Sequence, residues 1–394
     1  MEIRQFCTKY AMDRVGTNSL KWDALDKRYG DKDLIPMWVA DMEFKAPDVV
    51  VNAMKQRIEH GIFGYSYVPD SYYNSFINWE RNRHNYKVDK KWIRFSTGVV
   101  VSLYWFVNAF TKFGDSVLII TPVYYPFHDA VKDTGRKLIT SELINTSGVY
   151  TIDFEDFERN IIENDVKLFI QCSPHNPVGR VWTEEELDKV LSICKKYNVL
   201  VVSDEIHQDI IIGENVQIPA AIVSGAKYAD NIITVTAPSK TFNLAGLLNC
   251  NIIISNKKVM ARYDAYSKTV NKTEVNIMGL TAAEAAYNYG KEWLNSLLDV
   301  IKHNYNHVKE RLGDKAPKII ISPLEGTYLI WMDLRGYIKP NETKAFIQGK
   351  CRLAVDYGEW FGENCKGFIR LNMATNPKYV EKAVDNIIKN INCL

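Results

Sequence analysis

Three residues at the ends of apolar segments could carry chemistry in this chain: Asn176, Asp204 and Lys240. Lys240 lies in the run Ala-Pro-Ser-Lys-Thr-Phe-Asn-Leu-Ala-Gly (237–246), directly after the strand-like segment 232–235 and before a helix start. An amine at the C-terminal end of a buried strand can form a Schiff base with a carbonyl compound, because desolvation favours its neutral, nucleophilic form. Taken alone, the same residue reads as an ordinary solvated loop lysine. Two upstream segments change that reading. Residues 199–207, Val-Leu-Val-Val-Ser-Asp-Glu-Ile-His, read as a buried parallel strand ending in the carboxylate of Asp204. Residues 168–172, Leu-Phe-Ile-Gln-Cys, form a second apolar run. It leads into Ser-Pro-His-Asn-Pro-Val-Gly-Arg (173–180), whose two prolines fix the backbone around Asn176.

These three ends meet at the carboxyl edge of one sheet, where open α/β folds bind ligands. Strands near 93–96, 117–121, 167–172, 199–203, 232–236 and 250–255 alternate with helical segments such as 183–197, which implies a mainly parallel sheet with right-handed connections. Thr183-Glu-Glu-Glu186 predicts a capping box at the start of that helix. A helical stretch from about Gly279 to Leu312 leads out of this body. The expected division is a large domain over 48–288 and a smaller α+β domain built from 1–47 and 289–394.

Together with residues 38–44 (Trp-Val-Ala-Asp-Met-Glu-Phe), 97–100 (Thr-Gly-Val-Val) and 122–126 (Pro-Val-Tyr-Tyr-Pro), these segments resemble the fold-type I pyridoxal phosphate enzymes of the aminotransferase class I/II superfamily. Within them the likeness is to the MalY/PatB group of cystathionine β-lyases and cystalysin-type C-S lyases, and it spans nearly the whole chain. The resemblance implies an α/β fold, with a seven-stranded-type, mainly parallel sheet flanked by helices in the large domain, and a pyridoxal 5'-phosphate cofactor. It makes Lys240 the Schiff-base lysine, Asp204 the partner of the pyridine nitrogen and Asn176 the donor to the phenolic oxygen. An aspartate that keeps the ring nitrogen protonated makes the ring an electron sink. His207, three positions after Asp204, is what the lyase group carries where the aminotransferase pattern has tyrosine. A histidine satisfied at a strand end is the alternative.

Phosphate binding is expected at Gly98-Val99-Val100, which follows 93–96 and opens a helix whose free N–H groups favour an anion. By itself that tripeptide is also simply a tight turn. Ser239 should assist, since residues 244–249 lack the basic side chain that many aminotransferases place after the lysine. By the resemblance Tyr124 lies over the cofactor ring, with Tyr125 its competitor for that place. Tyr65 would reach the phosphate of the neighbouring subunit's cofactor, so the active unit would be a homodimer; in a chain with 22 tyrosines, a core or surface aromatic is the alternative. Arg370, in the short apolar run 367–372, needs an anionic partner. The resemblance gives it the α-carboxylate of an amino-acid substrate, with the backbone near Ala40 as a second contact. An ion pair with Asp or Glu is the alternative.

A net charge of +2 offers no electrostatic case for nucleic acid or an anionic membrane. The first residues lack the apolar core of a signal peptide and no stretch reaches bilayer-spanning length, so a cytoplasmic location is expected. The seven cysteines form no Cys-x-x-Cys pair and the histidines lack metal spacing, which predicts no metal and no disulfide framework. Cys172 receives no role. The expected reaction is α,β-elimination from L-cystathionine, L-cysteine or another S-substituted cysteine, giving a thiol, pyruvate and ammonia, with Lys240 and Tyr124 as proton carriers. The alternatives are an aminotransferase using the same lysine and a lyase-fold protein with a regulatory binding role.

Overall fold

A computed structural model describes residues 1–270 and 275–393. Its large sheet has seven strands, in the order Ile93–Ser96, Cys250–Ile254, Ile232–Thr236, Leu200–Asp204, Leu168–Cys172, Ser116–Thr121 and Lys137–Glu142. Only Cys250–Ile254 runs against its neighbours; the other pairs are parallel. The central strands are buried along their length, which is why they read as continuous apolar runs rather than alternating ones. Lys137–Glu142 is an edge strand of mixed polarity and partial exposure, and the sequence gives no apolar run to announce it.

Register places the chemistry. Cys172 pairs with Asp204, and Asp204 with Val235, so three adjacent strands end level with one another. The loop holding Asn176, the carboxylate of Asp204 and the turn holding Lys240 therefore leave one edge together. The crossover helix Glu184–Lys196 starts with the expected capping box, in which Thr183 Oγ1 accepts from the Glu186 N–H at 3.2 Å and Glu186 Oε2 accepts from the Thr183 N–H at 2.9 Å.

The stretch expected as one helix over 279–312 is two, Ile277–Tyr289 and Lys291–Lys315. They break at Gly290, where a Cβ would stand 2.5 Å from the Phe242 ring and 2.6 Å from the Ala286 carbonyl. Hydrophobic periodicity carries across a one-residue break, so it does not reveal this one. The second helix packs against the C-terminal helix Pro377–Ile391. A smaller antiparallel sheet orders its strands Ile320–Ile321, Leu329–Asp333, Phe368–Asn372 and Asp356–Tyr357. Its register sets Arg370 directly opposite Asp356. No helix among the described residues is long and apolar enough to cross a membrane.

Residues 37–44 form an extended strap that reaches both sheets. Asn372 of the small sheet donates to the carbonyls of Val39 (2.7 Å) and Asp41 (2.6 Å). Asn243, just after the large sheet's lysine turn, donates to Met42 (3.0 Å) and Phe44 (2.8 Å). Glu43 is buried with Lys21 at 2.8 Å and also accepts from the Trp22 indole N–H at 3.1 Å. Removing one partner of a buried ion pair leaves an uncompensated charge. Glu43→Gln should therefore cost about 3–5 kcal/mol in denaturant unfolding, while the double change Lys21→Met with Glu43→Leu should recover most of that loss. Equal losses in single and double variants would show that the pair is not what holds the strap.

Candidate functional site

Strand Ile232–Thr236 ends in a single helical turn, Pro238–Thr241, with proline in the first turn, where its missing N–H is no loss. Lys240 projects from this turn and its Nζ donates to the Ala40 carbonyl at 2.8 Å. The Tyr328 hydroxyl donates to the same oxygen, also at 2.8 Å. Burial lowers the Lys240 pKa to about 8, with Asp41 and Asp204 opposing and Arg370 adding to the shift. At that value about a tenth of the amine is neutral at pH 7, against well under a thousandth for an exposed lysine. Next to it, Thr241 donates to Asp209 at 2.7 Å, and Asp209 also accepts from His84 (2.9 Å), Trp79 (3.1 Å) and Arg83 (2.8 Å). The lysine turn is thereby tied to the segment that follows Asp204.

Asp204 is buried, and burial raises its pKa to about 7. Its Oδ1 accepts from the Ile206 N–H at 3.0 Å, and the carboxylate has no other hydrogen-bond partner among the described residues. A carboxylate so placed lacks a cation. His207 is buried edge-on to the Tyr328 ring (5.7 Å between centroids), and its Nδ1 has no partner among the described residues. Burial, with Lys240 and Arg370 adding to it, holds the His207 pKa well below the usual imidazole value, so the ring is neutral. Asn176 Oδ1 accepts from Arg370 Nη1 at 2.9 Å, which leaves its amide N–H₂ for the cavity. The Tyr124 N–H donates to the Asn176 carbonyl at 3.1 Å, fixing the tyrosine to the same loop. Cys172 donates to the Pro174 carbonyl at 3.3 Å, and burial keeps its thiol protonated.

Ten of the expected residues, Ala40, Gly98, Val99, Val100, Tyr124, Asn176, Asp204, His207, Ser239 and Lys240, line one cavity of about 270 Å³. Gly98 stands at the N-terminus of helix Val99–Phe110, and the space its missing Cβ leaves is empty. Its extended backbone suits any residue, so glycine serves here by vacating room beside the helix N–H groups. In place of a basic side chain after the lysine, Ala245, Leu248 and Asn249 join the lining. Among the described residues no cluster of His, Cys, Asp and Glu could hold a metal ion.

Two expected residues lie elsewhere. Arg370 is buried directly behind Asn176 and donates to the Trp38 carbonyl at 3.2 Å. It forms an ion pair with buried Asp356, and its Nε has no partner among the described residues. Tyr65 is fully exposed beside Phe63, Val275 and Ile277, away from the cavity of its own chain. Tyr328, Asp356 and Asn372 escaped the sequence reading, because each meets the site through the small sheet and carries no local motif.

Residues 32–387 match the family described as aminotransferase class I and II. The chain is 40% identical to cystathionine beta-lyase PatB of Bacillus subtilis (strain 168), over 91% of its own length and 93% of that protein's. Among solved structures, a PLP-bound putative aminotransferase from Clostridium difficile 630 matches with a TM-score of 0.94 at 40% identity, covering 97% of this chain and 98% of that one. Cystalysin from Treponema denticola, which contains a pyridoxal 5'-phosphate cofactor, matches with a TM-score of 0.93 at 35% identity and the same coverage, 97% and 98%. By sequence and by fold alike, this chain belongs to the aminotransferase class I and II family.

Proposed function

We propose that the protein is a pyridoxal phosphate-dependent carbon-sulfur β-lyase that converts S-substituted L-cysteines to a thiol, pyruvate and ammonia. The observation that carries this reading is the meeting of a low-pKa amine, a buried carboxylate short of a partner and a free amide N–H₂ in one cavity. That donor set fits the cofactor. Asp204 offers a carboxylate to a protonated ring nitrogen, Asn176 an N–H to a phenolic oxygen, and the Gly98–Val100 helix start a cradle for phosphate. When bound there, pyridoxal phosphate supplies an electron sink for the charge left at the substrate's α-carbon. The name of PatB, a cystathionine beta-lyase, supports elimination as the outcome.

The chain's own groups then divide the work. Arg370, whose Nε alone is unpaired among the described residues, and the Asn176 loop would hold the α-carboxylate once the guanidinium exchanges one of its present partners for it. Once free, the Lys240 amine takes the α-proton, and its pKa near the working pH suits transfer in both directions. Burial raises the Tyr124 pKa, so its hydroxyl stays protonated and can serve the leaving sulfur, as can Lys240. A thiol departs from a dry site more easily than a thiolate. The name of the Clostridium difficile relative favours a second reading, amino-group transfer with the same lysine.

Purified protein with added pyridoxal phosphate, given L-cystathionine and L-cysteine without any oxo-acid acceptor, separates the two. Pyruvate and ammonia should appear, and Lys240→Ala should cut their rate by about 10³-fold or more; products only after an acceptor is added would make it an aminotransferase. The depressed Lys240 pKa gives a second expectation. Because the reactive amine is mostly charged below about pH 8 and mostly neutral above it, Lys240 should capture added pyridoxal phosphate about tenfold faster per pH unit up to that point and then level off. A rate still climbing at pH 10 would mean an ordinary exposed lysine.

We also propose a homodimer. Ile62, Phe63, Tyr65 and Tyr67 are all exposed on one unstructured segment, an apolar patch that a second copy would cover. Tyr65→Phe should weaken cofactor binding, read by equilibrium dialysis, while leaving the dimer intact on size-exclusion chromatography. A monomeric wild type, or unchanged cofactor affinity, would refute the cross-subunit role.

A further inference from the structure

An arginine without an ion-pair partner among the described residues stands among the aromatic residues that adjoin this site. Arg28 belongs to the short helix Leu25–Tyr29, and its guanidinium carbon lies 4.8 Å from the Trp38 ring centroid and 4.8 Å from that of Trp360. Two indoles grip one planar cation, which fixes its plane and leaves N–H edges for a ligand. Two carboxylates close to it are paired with other arginines: Asp31 with Arg352, and Asp356 with Arg370. Among the described residues, Arg28 has no ion-pair partner.

Both indoles belong to the surroundings of the candidate site. The Trp38 carbonyl accepts from Arg370 at 3.2 Å, and two residues further on Ala40 receives Lys240. The Trp360 ring meets Tyr125 edge-on at 6.3 Å, and Tyr125 meets the cavity-lining Tyr124 at 5.0 Å. Tyr124 in turn donates to the Asn176 carbonyl at 3.1 Å, and the Asn176 side chain holds Arg370 at 2.9 Å. The contacts close into a ring carrying two guanidinium groups, Arg370 buried and Arg28 exposed. Tyr125 and Trp360, both only half-buried, link the two and offer apolar surface to methylene groups.

We propose that Arg28 is a specificity-determining residue that binds a distal carboxylate on the sulfur substituent of the substrate. The inference rests on the lyase reading and narrows its substrate class to thioethers of cysteine whose leaving thiol ends in an anionic group. Such a molecule carries two carboxylates separated by a short apolar stretch, matching two arginines separated by aromatic walls. Cysteine itself has no second carboxylate to present.

The test uses the holoenzyme and two substrates of the same shape, S-(2-carboxyethyl)-L-cysteine and S-(3-methylbutyl)-L-cysteine, with thiol release giving kcat/KM for each. The wild type should favour the acid by about tenfold, the size expected of a charge-assisted hydrogen bond. Arg28→Gln should bring the ratio near one, and Arg28→Glu should reverse it. Because the two substrates differ only in the terminal group, a general loss of activity cancels from the ratio. A wild-type ratio near one, or a preference that survives Arg28→Gln, overturns the inference and leaves the lyase reading standing. A wild type that eliminates neither substrate overturns the lyase reading, and this inference with it.

Discussion

One backbone carbonyl joins the parts of this molecule that must cooperate. The oxygen of Ala40 accepts from Lys240, at the end of a large-sheet strand, and from Tyr328, at the start of a small-sheet strand. Ala40 itself lies on a strap from the N-terminal segment, held by Asn372, by Asn243 and by the buried pair of Lys21 and Glu43. Three regions remote in sequence thus converge on one acceptor. In a dry interior such hydrogen bonds are strong and their loss is costly, so the position of the lysine amine depends on the strap staying in place.

The same burial tunes the chemistry. Lys240 is pushed toward its neutral form and so is Asp204, because both lose water without gaining a full counter-charge. Burial, with Lys240 and Arg370 adding to it, holds His207 neutral. Opposed titrating groups displaced together in one cleft are characteristic of functional sites. The cavity is electrically unfinished: it presents a carboxylate short of a cation, an amide N–H₂ short of an acceptor and a helix start short of an anion. Arg370 differs in that Asp356 already pairs with it. Its guanidinium is oriented before any carboxylate arrives, which reduces the ordering that binding would require.

Aromatic side chains shape the approach to this centre. Tyr124, Tyr125, Trp360 and Trp38 form a continuous wall from the cavity to the surface, interrupted by the stacked Arg28. The tilted contact of Tyr124 with Tyr125 and the edge-on contact of Tyr125 with Trp360 limit the rotation of each ring. A site walled in this way discriminates by shape and by the few charges set into it.

The residues legible in the sequence were those fixed by local rules. Asn176, Asp204 and Lys240 follow apolar strands whose complete burial writes itself as uninterrupted hydrophobic runs, and parallel strands of one sheet must end on one edge. The capping box at Thr183 was equally local. Other features depended on contacts that no local pattern encodes. The edge strand Lys137–Glu142 lacks a buried face on both sides, and the break at Gly290 is forced by Phe242, a residue of another element. Arg370 could be recognised as a buried arginine seeking an anion, yet its partner Asp356 was set by the register of two short antiparallel strands. Tyr328 and Arg28 stand 288 and 10 positions along the chain from Ala40 and Trp38, respectively. Sequence by itself determined the strand ends and the functional groups they carry, since backbone periodicity and burial act over a few residues. Only the tertiary structure decided which groups from the strap and the small sheet complete the site, because hydrogen bonds between segments remote in sequence set those distances.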